Sequence, residues 1–253
     1  MTSLHYRRAG QGAPVLLIHG FCGASDYWTP TIDGLSSRLD LIAPDLPGFG
    51  KSNSLPECRS LEEMASQVIA LADSLHIPRV GIVGHSMGGF IAQQLLHSRP
   101  ERLSGAVLYG TAARIDPVKR FESAEQTIER LKRDGVDATA AHVASTWFYA
   151  GAANPYYESC RIAARAMTLA AGVAAIEVCA KIDFRDAPKA TVPALILLGD
   201  AERTFPPDMG IELQRTLGNA RLCVLPGCAH AAHLDKPQLF NAVIQDFFLG
   251  SAP

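Results

Sequence analysis

Val80-Gly81-Ile82-Val83-Gly84-His85-Ser86-Met87-Gly88-Gly89 is the stretch on which the fold turns. Val80 to Val83 is mostly apolar and reads as a strand buried on both faces. Phe90 to His97 follows with a helix-like pattern. Between them, Gly-x-Ser-x-Gly must reverse the chain so tightly that the positions two before and two after Ser86 tolerate no side chain. Gly84 and Gly88 occupy them. Such a turn holds Ser86 in a strained backbone conformation and lifts its hydroxyl clear of the sheet's carboxyl edge. It also leaves the Met87 N–H at a helix N-terminus, where developing negative charge is favoured. A glycine loop that merely caps a strand would need neither the buried strand before it nor the helix after it.

Working outward, Val15 to Ile18 is a second wholly apolar run. It ends in His19-Gly20-Phe21-Cys22-Gly23, a small-residue loop whose Phe21 N–H is placed to face the Met87 N–H as a second oxyanion donor. His19 reads as a brace for this loop. Leu4 to Arg8 is a candidate first strand, and Trp28 to Leu39 a helix with Tyr27 and Trp28 in the core. Leu41 to Pro44 is another buried strand. The loop after it, Asp45 to Ser52, lacks the GxxxxGK[ST] spacing of a phosphate cradle, so Asp45 reads as a loop brace. Ser60-Leu61-Glu62-Glu63 is a capping box that opens a helix to about Leu75. Leu103 to Tyr109 gives the next strand. The alternation predicts an α/β fold with a doubly wound, mostly parallel sheet.

From Ala112 onward the pattern changes. Residues 112–187 contain no buried-strand run and are expected to form a helical cap between core segments 1–111 and 188–253. Its expected helices are Val118–Lys132, Val136–Tyr149, Asn154–Ala171 and Val173–Ile182. The natural place for such an insertion is over the carboxyl edge, above Ser86. Its aromatic cluster, Trp147, Phe148, Tyr149, Tyr156 and Tyr157, could line a pocket or pack within the cap; His142 reads as surface or packing. Strand Ala194–Leu198, helix Met209–Leu217, strand Leu222–Leu225 and helix Pro237–Leu249 complete the chain.

The 253 residues carry a formal net charge of −2 with no basic run, which argues against nucleic acid or an anionic membrane as partner. The six cysteines are scattered, with no CxxC pair, and Met1 to Gly10 contains no apolar signal region. A cytoplasmic protein with reduced thiols is the expectation. Ile162 to Ala180 is apolar but holds Arg165 and Glu177, so it reads as a buried or interfacial helix.

A serine hydroxyl is a poor nucleophile unless an imidazole takes its proton as it attacks. His230 lies in Pro226-Gly227-Cys228-Ala229-His230, directly after the last strand, which places it over the sheet edge near Ser86. His233 competes but sits at the start of the final helix and reads as a brace.

Together, His19-Gly20-Phe21, Asp45 to Ser52, Gly84 to Gly89, the Gly199 to Pro206 loop and Gly227 to Pro237 resemble the α/β-hydrolase superfamily over nearly the whole chain. Thr111-Ala112-Ala113-Arg114-Ile115, Trp147-Phe148 and Asp183-Phe184-Arg185-Asp186 are similar to its 3-oxoadipate enol-lactonase and carboxylesterase branch. The resemblance implies seven to eight strands, a lid after the sixth core strand, and acyl transfer with no cofactor and no metal. The implied substrate is a small-molecule ester or lactone. It also implies a carboxylate behind His230. The family usually has Asp at the fourth position of the Gly-x-x-Asp loop; here that position is Glu202, with Asp200 as rival. Trp147, Phe148 and Arg114 are candidate substrate contacts, and Arg114, Arg161 or Arg165 would bind a substrate carboxylate if one exists. His85 before the serine matches many esterases rather than the lactonases. The neighbouring readings are a carbon–carbon bond hydrolase of dienone acids and a non-catalytic ligand-binding relative. Ser86 itself excludes the aspartate-nucleophile reactions of this fold.

Overall fold

The apolar runs become neighbouring strands of one sheet. A computed structural model describes residues 4–116, 118–119 and 121–250. The strands are β1 (Tyr6–Ala9), β2 (Ala13–Ile18), β3 (Leu39–Pro44), β4 (Val80–His85), β5 (Leu103–Tyr109), β6 (Ala194–Gly199) and β7 (Ala220–Leu225). Their order is β1-β3-β2-β4-β5-β6-β7, with β1 antiparallel to β3 and every other pair parallel. β3, β4 and β6 are buried at every position, as strands covered by helices on both faces must be.

The core helices are α1 (Thr29–Leu35), α2 (Leu61–Ser74) and α3 (Met87–Ser98) before the insertion. Ser60 caps α2 by accepting the Glu63 N–H at 3.1 Å, while the Glu63 carboxylate reaches back to the Arg59 N–H at 2.7 Å. The helix expected from Trp28 is shorter, because Ser25–Trp28 forms a 3-10 turn that buries Trp28 before α1 begins.

The insertion leaves after β5 and returns at β6. With seven strands it therefore follows the fifth in chain order, one fewer than the expected sixth. It holds α4 (Ala124–Trp147), α5 (Tyr157–Ala164) and α6 (Leu169–Cys179). The bounds of its four expected helices are redrawn. α4 starts at Ala124, not Val118, because Ser123 and Gln126 form a capping box and Val118 is 90% exposed with nothing to pack on. The expected break after Lys132 is a break at Gly135, which adopts φ +82° inside α4. The stretch Asn154–Ala171 is not one helix: Thr168 caps α6 through its side chain, and its own N–H is taken by the Gly48 carbonyl at 2.9 Å. α5 and α6 meet at 103°, and no single helix among the described residues is long and apolar enough to cross a membrane. The C-terminal part adds α7 (Pro207–Leu217), α8 (Ala232–Asp235) and α9 (Pro237–Leu249).

The strand order reverses at β2, which lies between β3 and β4. Such a switch point opens a crevice beyond the carboxyl ends of the strands. The register Ile18↔Gly84 sets the loops after β2 and β4 side by side there.

Candidate active site

The turn after β4 is as tight as its glycines require. Ser86 has φ 56° and ψ −113°, a region that L-residues avoid. A Cβ on Gly84 would lie 2.1 Å from the Gly88 carbonyl oxygen, and one on Gly88 2.3 Å from that of Ile18. The Ser86 N–H donates to the Tyr109 carbonyl at 2.8 Å, anchoring the turn to β5. Met87 opens α3, so its N–H has no helical partner of its own. Three residues past the Ile18↔Gly84 pair on each strand stand Phe21 and Met87.

One cleft brings Phe21, Ser86, Met87 and His230 together. The insertion supplies much of its wall, through Val143 and Trp147 of α4 and Ile176 of α6; Phe90 and Phe205 line the core side. Among the described residues no Lys, Arg, Asp or Glu lines this cleft.

His230 and Glu202 are both buried, and the His230 Nδ1 lies 2.6 Å from Glu202 Oε2. A carboxylate oxygen accepts, so Nδ1 carries the proton and Nε2 is left as a base. The other Glu202 oxygen accepts the N–H groups of Thr204 (2.7 Å) and Phe205 (3.3 Å), which fixes the carboxylate's orientation. Asp200 points elsewhere: it accepts the Cys228 N–H at 3.2 Å, and backbone N–H bonds, that of Gly227 foremost, hold its carboxyl below the usual range. It braces the loop that carries His230. His233 is buried behind the site, its imidazole pushed down to about 3, first by burial and then by the nearby His230. It contacts the Tyr109 hydroxyl at 3.1 Å. His19 braces the β2 loop, donating from Nδ1 to the Gly20 carbonyl (2.8 Å) and accepting the Leu46 N–H at Nε2 (3.0 Å). Asp45 likewise accepts the N–H groups of Ser25 and Lys51, at 2.6 and 2.9 Å.

Of the candidate substrate contacts, Trp147 lines the cleft; Phe148 and Arg114 do not. Phe148 is buried in the core. Arg114 is drawn out to Asp116 (3.0 Å) and Glu212 (3.3 Å). Arg161 pairs with Glu158 and Asp137, and Arg165 with Asp137, because each found an acidic neighbour on the insertion's outer face. Among the described residues no cluster of His, Cys, Asp and Glu is arranged to hold a metal ion.

Residues 13–237 match the family model described as the alpha/beta hydrolase fold. The chain belongs to that family. The α/β-hydrolase is similar to the enol-lactonase from Burkholderia xenovorans LB400, at 26% identity and TM-score 0.87, covering 96% of this chain and 95% of that one. It is also similar to a thermophilic esterase from Thermogutta terrifontis, at 27% identity and TM-score 0.86, covering 96% and 92%. A curated relative is the 2-hydroxy-6-oxo-6-phenylhexa-2,4-dienoate hydrolase of Comamonas testosteroni, 26% identical over 268 residues, which covers 96% of this chain and 90% of that protein.

Sequence reasoning passed over two contributors in this hydrolase. Asp235 accepts the Ala229 N–H (2.8 Å), the Tyr149 N–H (3.1 Å) and the Asn154 side-chain amide (2.9 Å), tying the His230 loop to the insertion. Tyr27, given only a packing role, hydrogen-bonds His85 at 3.0 Å. The histidine directly before the serine was the one available signal for this contact.

Proposed function

We propose that this α/β-hydrolase cleaves a small carboxylic ester or lactone through an acyl-enzyme. Ser86 Oγ attacks the carbonyl carbon while His230 Nε2 takes its proton. Glu202 holds the imidazole in the required tautomer and stabilises the imidazolium. The tetrahedral oxyanion is met by the Phe21 and Met87 N–H groups, each such donor being worth about 2.7–4 kcal/mol of barrier. His230 returns the proton to the leaving oxygen, which departs as the alcohol. Water, deprotonated by His230, then attacks the acyl-enzyme and frees the acid and Ser86. The chemistry calls for no cofactor. The insertion, residues 112–187, serves as the lid whose apolar residues receive the substrate.

The observation that carries this reading is the buried His230–Glu202 pair at 2.6 Å opening onto the same cleft as the strained Ser86. The cleft's mostly apolar lining supports the ester reading over the reactions of some relatives. Moving a carboxylate out of water without a partner is costly, and the arginines that could have served are engaged with acidic side chains outside the cleft. Neutral esters therefore suit this site better than dienone acids or anionic lactones.

The test pairs labelling with a substrate panel. A fluorophosphonate should modify Ser86 and leave Ser86→Ala unmodified. Short p-nitrophenyl esters should be turned over, and a neutral methyl ester preferred to the half-ester of a dicarboxylic acid of equal length. Labelling without turnover of any ester, lactone or dienone acid would favour a binding role; turnover of dienone acids in preference to esters would favour carbon–carbon hydrolysis.

A further inference from the structure

A single directed chain of hydrogen bonds runs beneath the cleft and touches all three loops of the proposed machinery. The Gly20 N–H donates to the Tyr27 hydroxyl at 2.9 Å. That hydroxyl lies 3.0 Å from His85 Nδ1, and His85 Nε2 lies 2.9 Å from the His230 carbonyl oxygen. The same carbonyl accepts the Tyr109 hydroxyl at 2.7 Å. All of these side chains are buried.

The donor and acceptor roles admit one solution. A carbonyl only accepts, so His85 carries its proton on Nε2. Complete burial holds the imidazole well below its ordinary pKa, so it is neutral and Nδ1 is a bare acceptor. Tyr27 must then donate to His85, which leaves its lone pair for the Gly20 N–H. Every bond points the same way, from the residue before Phe21, through the residue before Ser86, to the backbone of His230. The His85 ring is also stacked on Tyr109, with centroids 4.5 Å apart and planes 24° apart.

We propose that Tyr27 and His85 are positioning residues that set the oxyanion loop and the His230 loop in register with Ser86. Neither touches substrate. Their effect is to fix the distance between the Phe21 donor, where negative charge develops, and the His230 base, where positive charge develops. The inference rests on the serine-hydrolase reading for its readout. It uses His85 as a neutral, two-ended spacer, not as an acid or base.

A glutamine fits that description, since its amide oxygen accepts, its NH₂ group donates, and it does not titrate. The experiment compares Tyr27→Phe, His85→Leu, His85→Gln and the Tyr27→Phe/His85→Leu pair. The readouts are kcat, KM, melting temperature and the rate of Ser86 modification by a fluorophosphonate. Tyr27→Phe and His85→Leu should each lower kcat and the modification rate by about 10–100-fold, with KM within about threefold, as expected when a buried network loses a link. The double variant should fall no further than the worse single one, because either change already breaks the chain. His85→Gln should recover most of what His85→Leu loses. Wild-type kcat in Tyr27→Phe, multiplying losses in the double variant, or His85→Gln as poor as His85→Leu would each overturn the inference. If His85→Leu does not fold, the comparison of Tyr27→Phe with His85→Gln decides alone. A wild-type protein inert to the fluorophosphonate would instead sink the hydrolase reading.

Discussion

The carboxyl edge of the sheet and the helical insertion hold their residues by different means. At the edge, main-chain sterics leave no room: Gly84 and Gly88 are wedged against the carbonyls of Gly88 and Ile18, Ser86 is held at φ 56°, and Glu202 has three hydrogen bonds on two oxygens. In the insertion, the break at Gly135 has nothing within 4 Å of where its Cβ would stand. The insertion meets the His230 loop through a few bolts: the Ala231 N–H donating to the Trp147 carbonyl at 2.7 Å, and Asp235. On the proposed reading, the edge sets where reacting atoms sit, and the insertion sets what reaches them. Changes at the edge should therefore strike kcat or folding, and changes in the insertion should be milder.

The largest effect belongs to Glu202. One of its oxygens is committed to the Thr204 and Phe205 N–H groups. In Glu202→Gln the amide oxygen takes that side, so the NH₂ faces His230 Nδ1 and drives the imidazole into the wrong tautomer. Steady-state kcat should fall by about 10⁴-fold, the cost of the same error in another serine triad. Asp200→Asn keeps an acceptor for the Cys228 N–H and should stay within a few-fold of wild type. A reversal of the two would move the proposed acid to Asp200.

Next comes Gly88→Ala. Its Cβ would press on a backbone carbonyl that belongs to β2 and cannot rotate away. Thermal unfolding should show a loss at or beyond the ~3 kcal/mol upper end of overpacking costs. A variant as stable as wild type would mean the edge is softer than its contacts imply.

The same contrast explains what was legible in the sequence. Strands buried on both faces declare themselves as short apolar runs, and β2 to β6 fall within two residues of where those runs lie. β7 is an edge strand with partly exposed faces, so its first residues, Ala220 and Arg221, carried no such signal. The helices of the insertion were legible as helices, but their ends were not. Thr168 ends one helical stretch and starts another because Gly48, far away in sequence, takes its N–H. Ser86 and His230 stand out by local motif and by place after a strand. The Tyr27–His85–His230 chain does not, since its partners are 58 and 145 residues apart and only the folded sheet edge brings them together.

The buried histidines of the core provide a third test. Burial lowers His19, His85 and His233, the last to about 3. In the unfolded chain each titrates near 6.5. Between those values the unfolded state binds protons that the folded core refuses, so unfolding free energy falls as pH drops from about 6.5 toward 3. Above about 6.5 these groups contribute no slope. Denaturant midpoints taken from pH 8 down to pH 4 should show this one-sided loss, and His233→Gln should reduce the slope by about one proton. A flat profile would mean that the core admits charge.

The smallest effect, and the sharpest probe of the division, is Gly135→Ala. The glycine adopts φ +82° and ψ 177°, a conformation costly to any residue with a side chain. The new methyl meets nothing, so the penalty is backbone strain alone, about 1 kcal/mol at the low end of the usual range. In a chain of this size that lowers the melting temperature by roughly 2–4 °C. Because Val143 and Trp147 lie beyond the break on the same helix, relief of that strain would shift the wall of the cleft and not the atoms at its floor. KM should then change by a few-fold while kcat on a small ester holds. A collapse of kcat at unchanged KM would show that the insertion, through the Trp147–Ala231 bond, shares in placing His230, and the separation of the two regions would fail at that bond.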